Sequence, residues 1–495
     1  MLEFSQLLSK YIHEKNVKTS ALAQYCGLDR SNLYKVINGK RNPSSMEMVR
    51  KMCRFLNLTY REQQEMEDAY EICVVGPEDY YRRKEVYRFF KDFQLPQFKL
   101  PLSEYGDRGK KFEFSEEATL LQTATEVDRF IFYILTEEMK NRNGHLYLLM
   151  QPDHEFFMNL LSTADYAGSQ VSMEQIICLE SNMKQTYSNY NIHCLEKLLP
   201  LYCNTYEYNC YYYYYENAGG GKKGTFSLFS YMIITSEYAC LLTDDFQKGY
   251  CISDKKAIKM LINIFKEYRS AASPLLRPFT DASMQMQYVL DITRAASEGY
   301  AFQMTPCITP YFTRDLLEKY IAPDTPHRKE LILMMDDYVK NTYRTEASNI
   351  QINSIYSMDG VRKFMETGRL GEYPPELYQN IEMADRIVLL KRLHQNCKRK
   401  TIRFLKNNIV NLDNELFLFV TETRGYIIIE NAPEQKLIYL DIEEPGLVFA
   451  FRDFCETLNE ELFYSKDETE KVIALLIEEY SHQNKSCNYI SGESD

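Results

Sequence analysis

The side chains best suited to charge and hydrogen-bonding chemistry are concentrated at the N-terminal end of this 495-residue chain. Residues 1–55 contain ten Lys and Arg against four Asp and Glu, a net charge of +6, whereas the other 440 residues carry −18. Arg30 and Lys35 can donate to guanine O6 and N7, and Ser31 can donate or accept. A small basic segment on an acidic body is the asymmetry expected of a nucleic-acid reader attached to something else. The acidic body would repel a polyanion, so we expect it to face away from one.

Short helices must position these residues, because apolar side chains in the first 72 positions recur at helical spacing. Thr19 and Asp29 are the predicted N-caps of the second and third helices. Gly27 ends the second helix and supplies a tight turn that most residues avoid. The predicted helices are 2–14, 20–26, 29–38, one capped by Ser44 or Ser45, and one from Thr59 to about Ile72. Together they predict a compact all-helical domain over residues 1–72.

One string in this domain is specific. TSALAQYCGLDRSNLYKVINGKRNPSS contains a helix, a glycine turn, a second helix, then Asn-Gly and a basic loop. It resembles the helix-turn-helix of the Cro/phage-repressor group, the XRE family. The matching positions are inward-facing, turn and exit residues, namely Leu22, Ala23, Gly27, Leu33, Val36, Asn38, Gly39 and Pro43. The resemblance covers about one seventh of the chain and implies a five-helix, lambda-repressor-like DNA-binding domain.

The resemblance also implies a role for each polar position. Helix 29–38 would lie in the major groove of double-stranded DNA with its N-terminal end toward the base edges. Thr19 would contact a phosphate at a helix N-terminus. Base-facing positions and their neighbours are Arg30, Ser31, Lys35, Asn32 and Tyr34, and the backbone contacts on the exit side are Asn38, Lys40 and Arg41. Such domains read paired half-sites as dimers, so we expect a homodimer.

The rest of the chain predicts an α/β (α+β) body that follows a connector. The predicted divisions are a connector with one helix (73–114), a first α/β lobe (115–271), a mostly helical connecting region (272–372), a second α/β lobe (373–485) and a disordered tail (486–495). A long helix is expected over about 115–142. Residues 225–268 and 414–457 share an order of three strands and a helix, which raises two hypotheses: two related lobes or convergent patterning. The chain is therefore multidomain.

Catalytic signatures are missing from the body, so we predict that it is not an enzyme. A duplicated α/β body is similar to the phospholipase D-like fold, whose chemistry needs HxKxxxxD in each lobe. In the body, His327, Arg328 and Lys329 form the single HxK, and Met334 stands at the Asp position. GGGKKG (219–224) lacks the phosphate-loop pattern and is better interpreted as a hairpin turn. The 13 cysteines form no CxxC pair, so no metal site is expected. No cofactor and no catalytic residue are expected either.

The sequence predicts a cytoplasmic DNA-binding transcriptional regulator whose body senses a ligand or protein partner. No export signal or run of roughly 18 apolar residues is visible, so no membrane contact is expected. The stretches GVRKFMETGRLGEYPPELYQ and FRDFCETLNEELFYSKDETEKVI make the chain similar to helix-turn-helix regulators of gut Firmicutes with long uncharacterised C-terminal regions. The alternatives are a scaffold protein that uses DNA as an anchor and a peptide-responsive regulator. The predicted strands argue against a helical solenoid. An antitoxin or phage repressor is usually much shorter than this chain.

Overall fold

Two compact units make up the chain. The computed structural model describes residues 3–96, 118–163, 170–181, 189–204, 206–215, 229–279, 282–343, 350–397, 401–431 and 436–491. We call the first unit the N-terminal unit (residues 1–85 and 182–189) and the second unit the body (residues 86–181 and 190–495). Helix α6, Pro77–Asp92, contributes residues to both.

The N-terminal unit is all-helical in the part that the structure describes. Before α6 it contains α1 Phe4–Glu14, α2 Thr19–Cys26, α3 Arg30–Ile37, α4 Met46–Phe55 and α5 Tyr60–Val75. Each of these five helices buries an apolar face in one shared core, to which Leu8, Leu22, Leu33, Val49 and Met66 contribute. The predicted five-helix domain is confirmed, and most of its helix ends agree with the structure to within two residues.

Helices α1 to α4 all end on a residue with a left-handed backbone. These residues are Asn16, Gly27, Gly39 and Asn57, with φ of 49°, 67°, 66° and 49°. After α2, the N–H of Gly27 donates to the carbonyl of Gln24 and the N–H of Leu28 to that of Ala23. This pair of bonds is the Schellman pattern, which satisfies carbonyls left free at a helix end. Glycine and asparagine stand there because other residues adopt this conformation only at a cost.

The helix N-termini follow the predicted N-cap positions in three cases and depart from them in one. The Ser45 side chain accepts from the N–H of Met48. Thr59 accepts from the N–H of Glu62, whose carboxylate accepts from the N–H of Thr59, and this reciprocal pair is a capping box. The predicted cap Thr19 is wrong: Lys18 is the N-cap of α2, because its carbonyl accepts the first helical bonds. Asp29 is the N-cap of α3, but its side chain accepts no capping bond.

An eight-stranded sheet forms the first part of the body. Its strands are β1 Ala118–Leu121, β2 His145–Leu149, β3 Ser172–Glu180, β4 Glu207–Tyr215, β5 Tyr231–Ile234, β6 Ala239–Leu242, β7 Gly249–Ile252 and β8 Ser273–Pro274. Their order is β1-β7-β6-β5-β2-β3-β4-β8, in which β2, β3 and β4 are parallel and the other neighbours antiparallel. The accompanying helices are α7 Ala124–Met139, α8 Glu155–Thr163, α9 Tyr190–Tyr202 and α10 Lys255–Ala271.

A seven-stranded sheet forms the second part. Its strands are β9 Leu276–Pro278, β10 Glu298–Phe302, β11 Gln351–Ser357, β12 Ile402–Leu405, β13 Leu416–Thr421, β14 Gly425–Asn431 and β15 Lys436–Ile442, in the order β12-β11-β10-β13-β14-β15-β9. The α-helices are α11 Ala282–Ala295, α12 Arg314–Tyr320, α13 Arg328–Tyr343, α14 Met358–Thr367, α15 Met383–Asn396, α16 Pro445–Thr457 and α17 Lys466–Ser491. Single 3₁₀ turns occupy Thr309–Tyr311, Pro375–Leu377, Leu412–Asn414 and Glu460–Leu462.

The strand orders of the two sheets correspond. In the first sheet six strands run β7-β6-β5-β2-β3-β4, and in the second β15-β14-β13-β10-β11-β12. In both, the last three strands of the series are parallel and the others antiparallel. An additional strand, β1 or β9, pairs antiparallel with β7 or β15. The body is therefore a mixed α/β structure.

Three predicted features of the body differ from the structure. Strand β1 and the N-cap Thr123 replace the first part of the expected helix 115–142, because the Thr123 side chain caps α7. Region 272–372 contains α11 to α14 but also strands that the prediction did not include, among them β9, β10 and β11 of the second sheet. The expected disordered tail is helical through 491 as the end of α17, which contains neither Gly nor Pro. The glycine-rich turn at 218–224 and the connector from 97 lie outside the described residues.

The two sheets are joined within the body by strand and helix contacts. Strand β4 lies next to β9, and helix α9 next to α16. The Tyr214 hydroxyl on β4 donates to Glu444 Oε1 at 2.6 Å, and Glu444 is the N-cap of α16. The second half of α6 adds Phe89 and Phe90, whose rings pack on Phe451 of α16. Aromatic contacts thus pack this part of α6 against α16, a helix of the second part of the body.

Candidate nucleic-acid interface

Helices α2 and α3 and the turn between them form the helix-turn-helix. Leu22 and Ala23 are buried on α2, and Leu33 and Val36 are buried on α3. With φ of +67°, Gly27 lets the chain reverse between the two helices, and no atom lies within 4 Å of the position that a Cβ would occupy. The turn therefore selects glycine for its backbone conformation and not for space.

The outward face of α3 carries most of the predicted base-reading residues. Leu33 and Val36 point inward. The outward face of the helix therefore consists of positions 30, 31, 34 and 35, which solvent can reach. Arg30, Ser31, Tyr34 and Lys35 are exposed, and Asn32 is half-buried beside them. Half of the Tyr34 side chain (51%) is accessible, although an aromatic ring gains by burial. The structure thus brings these five residues together along one helix of 12 Å or so.

The exit side of α3 is held by its helix end. The N–H of Gly39 donates to the carbonyl of Val36 and that of Lys40 to the carbonyl of Lys35, the same Schellman pattern as after α2. Asn38, Lys40 and Arg41 are exposed in this turn. A Cβ on Gly39 would lie 3.1 Å from Ser5 Oγ, so both φ and space favour glycine here. The turn at Gly39 therefore determines the position of the three residues predicted to contact the DNA backbone.

Thr19 lies at the other end of the motif, as the first residue of α2, and it is half-buried. The first N–H groups of any helix lack partners inside the helix and can bind a phosphate oxygen. Lys18, directly before Thr19, is exposed and was missed by the sequence prediction. Its position at the N-cap of α2 is the signal that could have found it.

Ion pairs divide the ten basic residues of positions 1–55 into two groups. Three pair with acids on α4 or α5: Lys15 with Glu62 at 3.1 Å, Arg50 with Glu67 at 3.4 Å and Arg54 with Glu47 at 2.6 Å. The other seven have no ion pair with any described carboxylate, namely Lys10, Lys18, Arg30, Lys35, Lys40, Arg41 and Lys51. Five of these seven lie on the helix-turn-helix or its exit loop. Their charge is therefore available to a polyanion.

The body offers no comparable chemistry in the residues that the structure describes. Among them, no group of three or more His, Cys, Asp and Glu could hold a metal ion. The cysteines whose side chains the structure describes are free thiols. Burial raises the pKa of several of them, including Cys397 of the body to about 12. No described helix is long and apolar enough to cross a membrane.

Comparison with protein families identifies the N-terminal motif. Residues 8–62 match the Cro/C1-type HTH DNA-binding domain, so the chain contains a helix-turn-helix DNA-binding domain there. This range includes α2 and α3 and excludes the body. No curated protein matches the chain.

Solved structures show only loose similarity. One is TrmBL2, an archaeal chromatin protein described with a novel mode of DNA binding, at 12% identity over 50% of this chain and 84% of that one, with a TM-score of 0.18. Another is phosphatidylserine synthase from Haemophilus influenzae Rd KW20, at 10% identity, 75% and 94% coverage and a TM-score of 0.24. Polyphosphate kinase from Porphyromonas gingivalis has 11% identity, 74% and 55% coverage and a TM-score of 0.20.

Proposed function

We propose that this protein is a sequence-specific transcriptional regulator of the XRE type, which binds DNA as a homodimer and senses a ligand or partner through its body. The observation that carries the proposal is the set of cations on the helix-turn-helix that have no ion pair with a described carboxylate. Charged side chains on a folded domain gain by pairing when acids are near, as Lys15, Arg50 and Arg54 do. The unpaired set surrounds the motif that the DNA-binding family shares.

In this proposal α3 enters the major groove and its exposed residues read bases. Arg30 and Lys35 donate to guanine, while Ser31, Asn32 and Tyr34 contact neighbouring groups. Lys18 and Thr19 at the start of α2 hold one phosphate, and Asn38, Lys40 and Arg41 hold the backbone on the exit side. The phosphate contacts set the register and raise affinity, and the base contacts set the sequence.

Dimerisation supplies the affinity that a single small domain lacks. A two-fold dimer presents two copies of α3 to half-sites whose centres lie about 10 base pairs apart, or a multiple of that. The operator is then an inverted repeat. The proposal places the dimer contacts outside α3, whose outward face is needed for DNA.

The body is proposed to be a duplicated, non-catalytic unit in a cytoplasmic protein. Its two sheets have corresponding strand orders, and corresponding bonds join the first residue after β2 to β3 (Met150 N to Ile176 O) and the first after β10 to β11 (Gln303 N to Ile355 O). In the single HxK sequence of the body, the His327 side chain is 73% exposed and its Nδ1 lies 3.0 Å from Glu330 Oε2. A signal bound in the body would change the spacing of the two helix-turn-helix motifs.

Selection of binding sites from a random duplex library with the full chain tests the proposal. We expect an inverted repeat. Arg30→Ala and Lys35→Ala should each cost about 1–3 kcal/mol and relax the preference at one base position per half-site. Lys40→Ala and Arg41→Ala should weaken binding to all sequences alike and reduce the dependence on salt concentration by about one ion each.

Arg61→Ala is the matched control, because Arg61 is 91% exposed on α5, away from α2 and α3, where it pairs with Glu65. It should leave both the selected sequence and the affinity unchanged. Weak, sequence-blind binding that Arg30→Ala does not alter would contradict the regulator and favour a DNA-anchored scaffold. Sedimentation of the full chain as a monomer, alone and on the selected site, would contradict the dimer.

A further inference from the structure

A cavity lies inside the second half of the body, between the second sheet and helices α11 and α13. Its volume is about 40 Å³, roughly three times the space that one water needs. Gln285 of α11, Tyr338 of α13 and Tyr426 of β14 line it, together with Gln303, Glu372 and Tyr373 from loops. A chemical group of a few heavy atoms fits such a space.

Two buried oxygens in this cavity lack a hydrogen-bond donor. Glu372 Oε2 and Gln285 Oε1 have no partner among the described residues, although the two side chains are only 9% and 5% exposed. The other Glu372 oxygen, Oε1, accepts from Gln303 Nε2 at 3.3 Å. A buried acceptor without a donor is costly, and native proteins usually satisfy such atoms. A group that donates hydrogen bonds would satisfy both oxygens.

The surroundings favour a positive charge on that group. Among the described residues that line the cavity, none is Lys or Arg. Burial raises the pKa of the Glu372 carboxyl above its ordinary value, and the nearby Cys307 thiol and the hydrogen bond from Gln303 offset only part of that effect. A cation beside Glu372 would stabilise the ionised carboxylate. The rings of Tyr373, Tyr426 and Phe419 supply electron-rich faces that attract cations.

We propose that this cavity binds the head group of a small organic cation, a guanidinium or primary ammonium group, whose N–H groups donate to Glu372 Oε2 and Gln285 Oε1. The tyrosine rings cover the remaining faces of the cation. Binding itself is independent of DNA, whereas the identification of this cation as the regulatory signal rests on the proposed function.

Calorimetric titration of the full chain without DNA tests the site, with methylguanidinium and methylammonium chloride as probes and sodium chloride as the ionic-strength control. We expect saturable binding and a rise in the melting temperature with at least one of the two probes. Glu372→Gln should weaken that binding more than about tenfold, because it removes the charge and keeps the shape. Gln285→Leu should weaken it several-fold, since one acceptor is lost. Glu376→Gln, an exposed position on the same segment, is the matched control and should bind as the wild type does.

Two further probes test which property of the cation matters. Tetramethylammonium carries the charge without N–H donors, and acetamide carries N–H donors without the charge; neither should bind. Absence of saturable binding by both methyl cations overturns the proposal, as does equal binding by tetramethylammonium or unchanged binding in both Glu372→Gln and Gln285→Leu. If Glu372→Gln does not fold, Gln285→Leu and the probe series decide. A failed titration leaves the DNA-binding result standing, and the reverse also holds, because the two assays share no component but the protein.

Discussion

Gly27 occupies a position where the backbone conformation alone selects the residue. Its φ is +67° and a Cβ would meet nothing within 4 Å. Gly27→Ala should therefore lower the local stability of α2 and α3 by about 1–2 kcal/mol, the usual cost of a left-handed residue. Gly27→Asn should cost less, because Asn16 and Asn57 adopt the same conformation after α1 and α4. Amide hydrogen exchange in α2 and α3 measures both, and equal protection in Gly27→Ala and the wild type would contradict this reason.

Gly360 is required for space instead. It lies in the first turn of α14, where a Cβ would overlap the carbonyl of Met304. Backbone atoms cannot move aside as a flexible side chain can. We expect Gly360→Ala to destabilise the body by about 3 kcal/mol or more, measured by scanning calorimetry. The N-terminal unit is the internal control, since its amides should exchange as in the wild type.

Asp441 should make the stability of the body depend on pH. Burial raises the pKa of this carboxyl to about 6, against the lowering effects of Tyr288, Arg277 and Arg424. The folded protein holds a proton there at pH values where the unfolded chain has lost it. The stability that this group contributes is therefore full below about pH 4 and lost as the pH rises through about 6. The free energy of unfolding of Asp441→Asn minus that of the wild type should therefore increase by about 2 kcal/mol when the pH is raised from 4 to 7.

Asp385 provides a control of opposite sign for the same calorimetric series. Burial raises its pKa, but hydrogen bonds from Lys319 and Tyr320 outweigh that effect and hold the pKa below its ordinary value. Its stabilising contribution is present above the unfolded pKa and lost as the pH falls through the folded pKa. The free energy of unfolding of Asp385→Asn should therefore fall relative to that of the wild type as the pH rises. The same pH trend in both variants would contradict these assignments.

At the scale of elements, the N-caps of α3, α4 and α5 differ in what their side chains do. Ser45 and Thr59 accept backbone N–H groups, whereas the Asp29 side chain accepts none. Ser45→Ala and Thr59→Ala should each destabilise the N-terminal unit by about 1 kcal/mol, and Asp29→Ala by clearly less. Hydrogen exchange in the first turn of each helix measures the difference. A loss in Asp29→Ala equal to that in Thr59→Ala would show that Asp29 does cap α3 in solution.

The sequence predicts the elements of the N-terminal unit well because their signals are local. A cap, an apolar stripe and a left-handed residue all lie within one helix, as Ser45 and Asn57 do for α4. Strands β10 and β11 of the second sheet carry no such signal, in contrast to β13, β14 and β15, which the sequence predicts. Strand β10 pairs with β13, whose residues follow it by more than a hundred positions. Without that partner the apolar segment EGYAF reads equally well as part of a helix.

The candidate sites show the same division at the scale of the whole molecule. Helical periodicity alone predicts that Arg30 and Lys35 share the outward face of α3. The sequence could not predict that Lys15, Arg50 and Arg54 pair with acids while the cations of the motif do not, since this depends on how α4 and α5 pack. The cavity was equally inaccessible to sequence reasoning. Gln285 and Glu372 are far apart in the sequence. They meet only because α11, α13 and the second sheet pack around one cavity.

The two sheets should unfold as one unit, because the body holds them together with a buried charge. Glu444 is 1% exposed and accepts from the N–H groups of Gly446 and Leu447 at the start of α16. The Tyr214 hydroxyl on β4 donates to the same carboxylate at 2.6 Å, so a hydrogen bond to a charge connects the first sheet to the second. Tyr214→Phe removes this bond and leaves the cap of α16 in place.

We expect Tyr214→Phe to destabilise the body by about 1.5–3 kcal/mol, the usual worth of a hydrogen bond to a charged group. Scanning calorimetry of the full chain should show the transition of the body at a lower temperature. Tyr213→Phe is the neighbouring control, because the Tyr213 hydroxyl donates within the first part of the body, to the carbonyl of Tyr268. If the sheets are coupled through Glu444, the effect of Tyr214→Phe should largely disappear in a Glu444→Ala background, which lacks the acceptor. An undiminished loss there would mean that Tyr214 stabilises the first sheet alone, and that β4 with β9 and α9 with α16 provide the coupling.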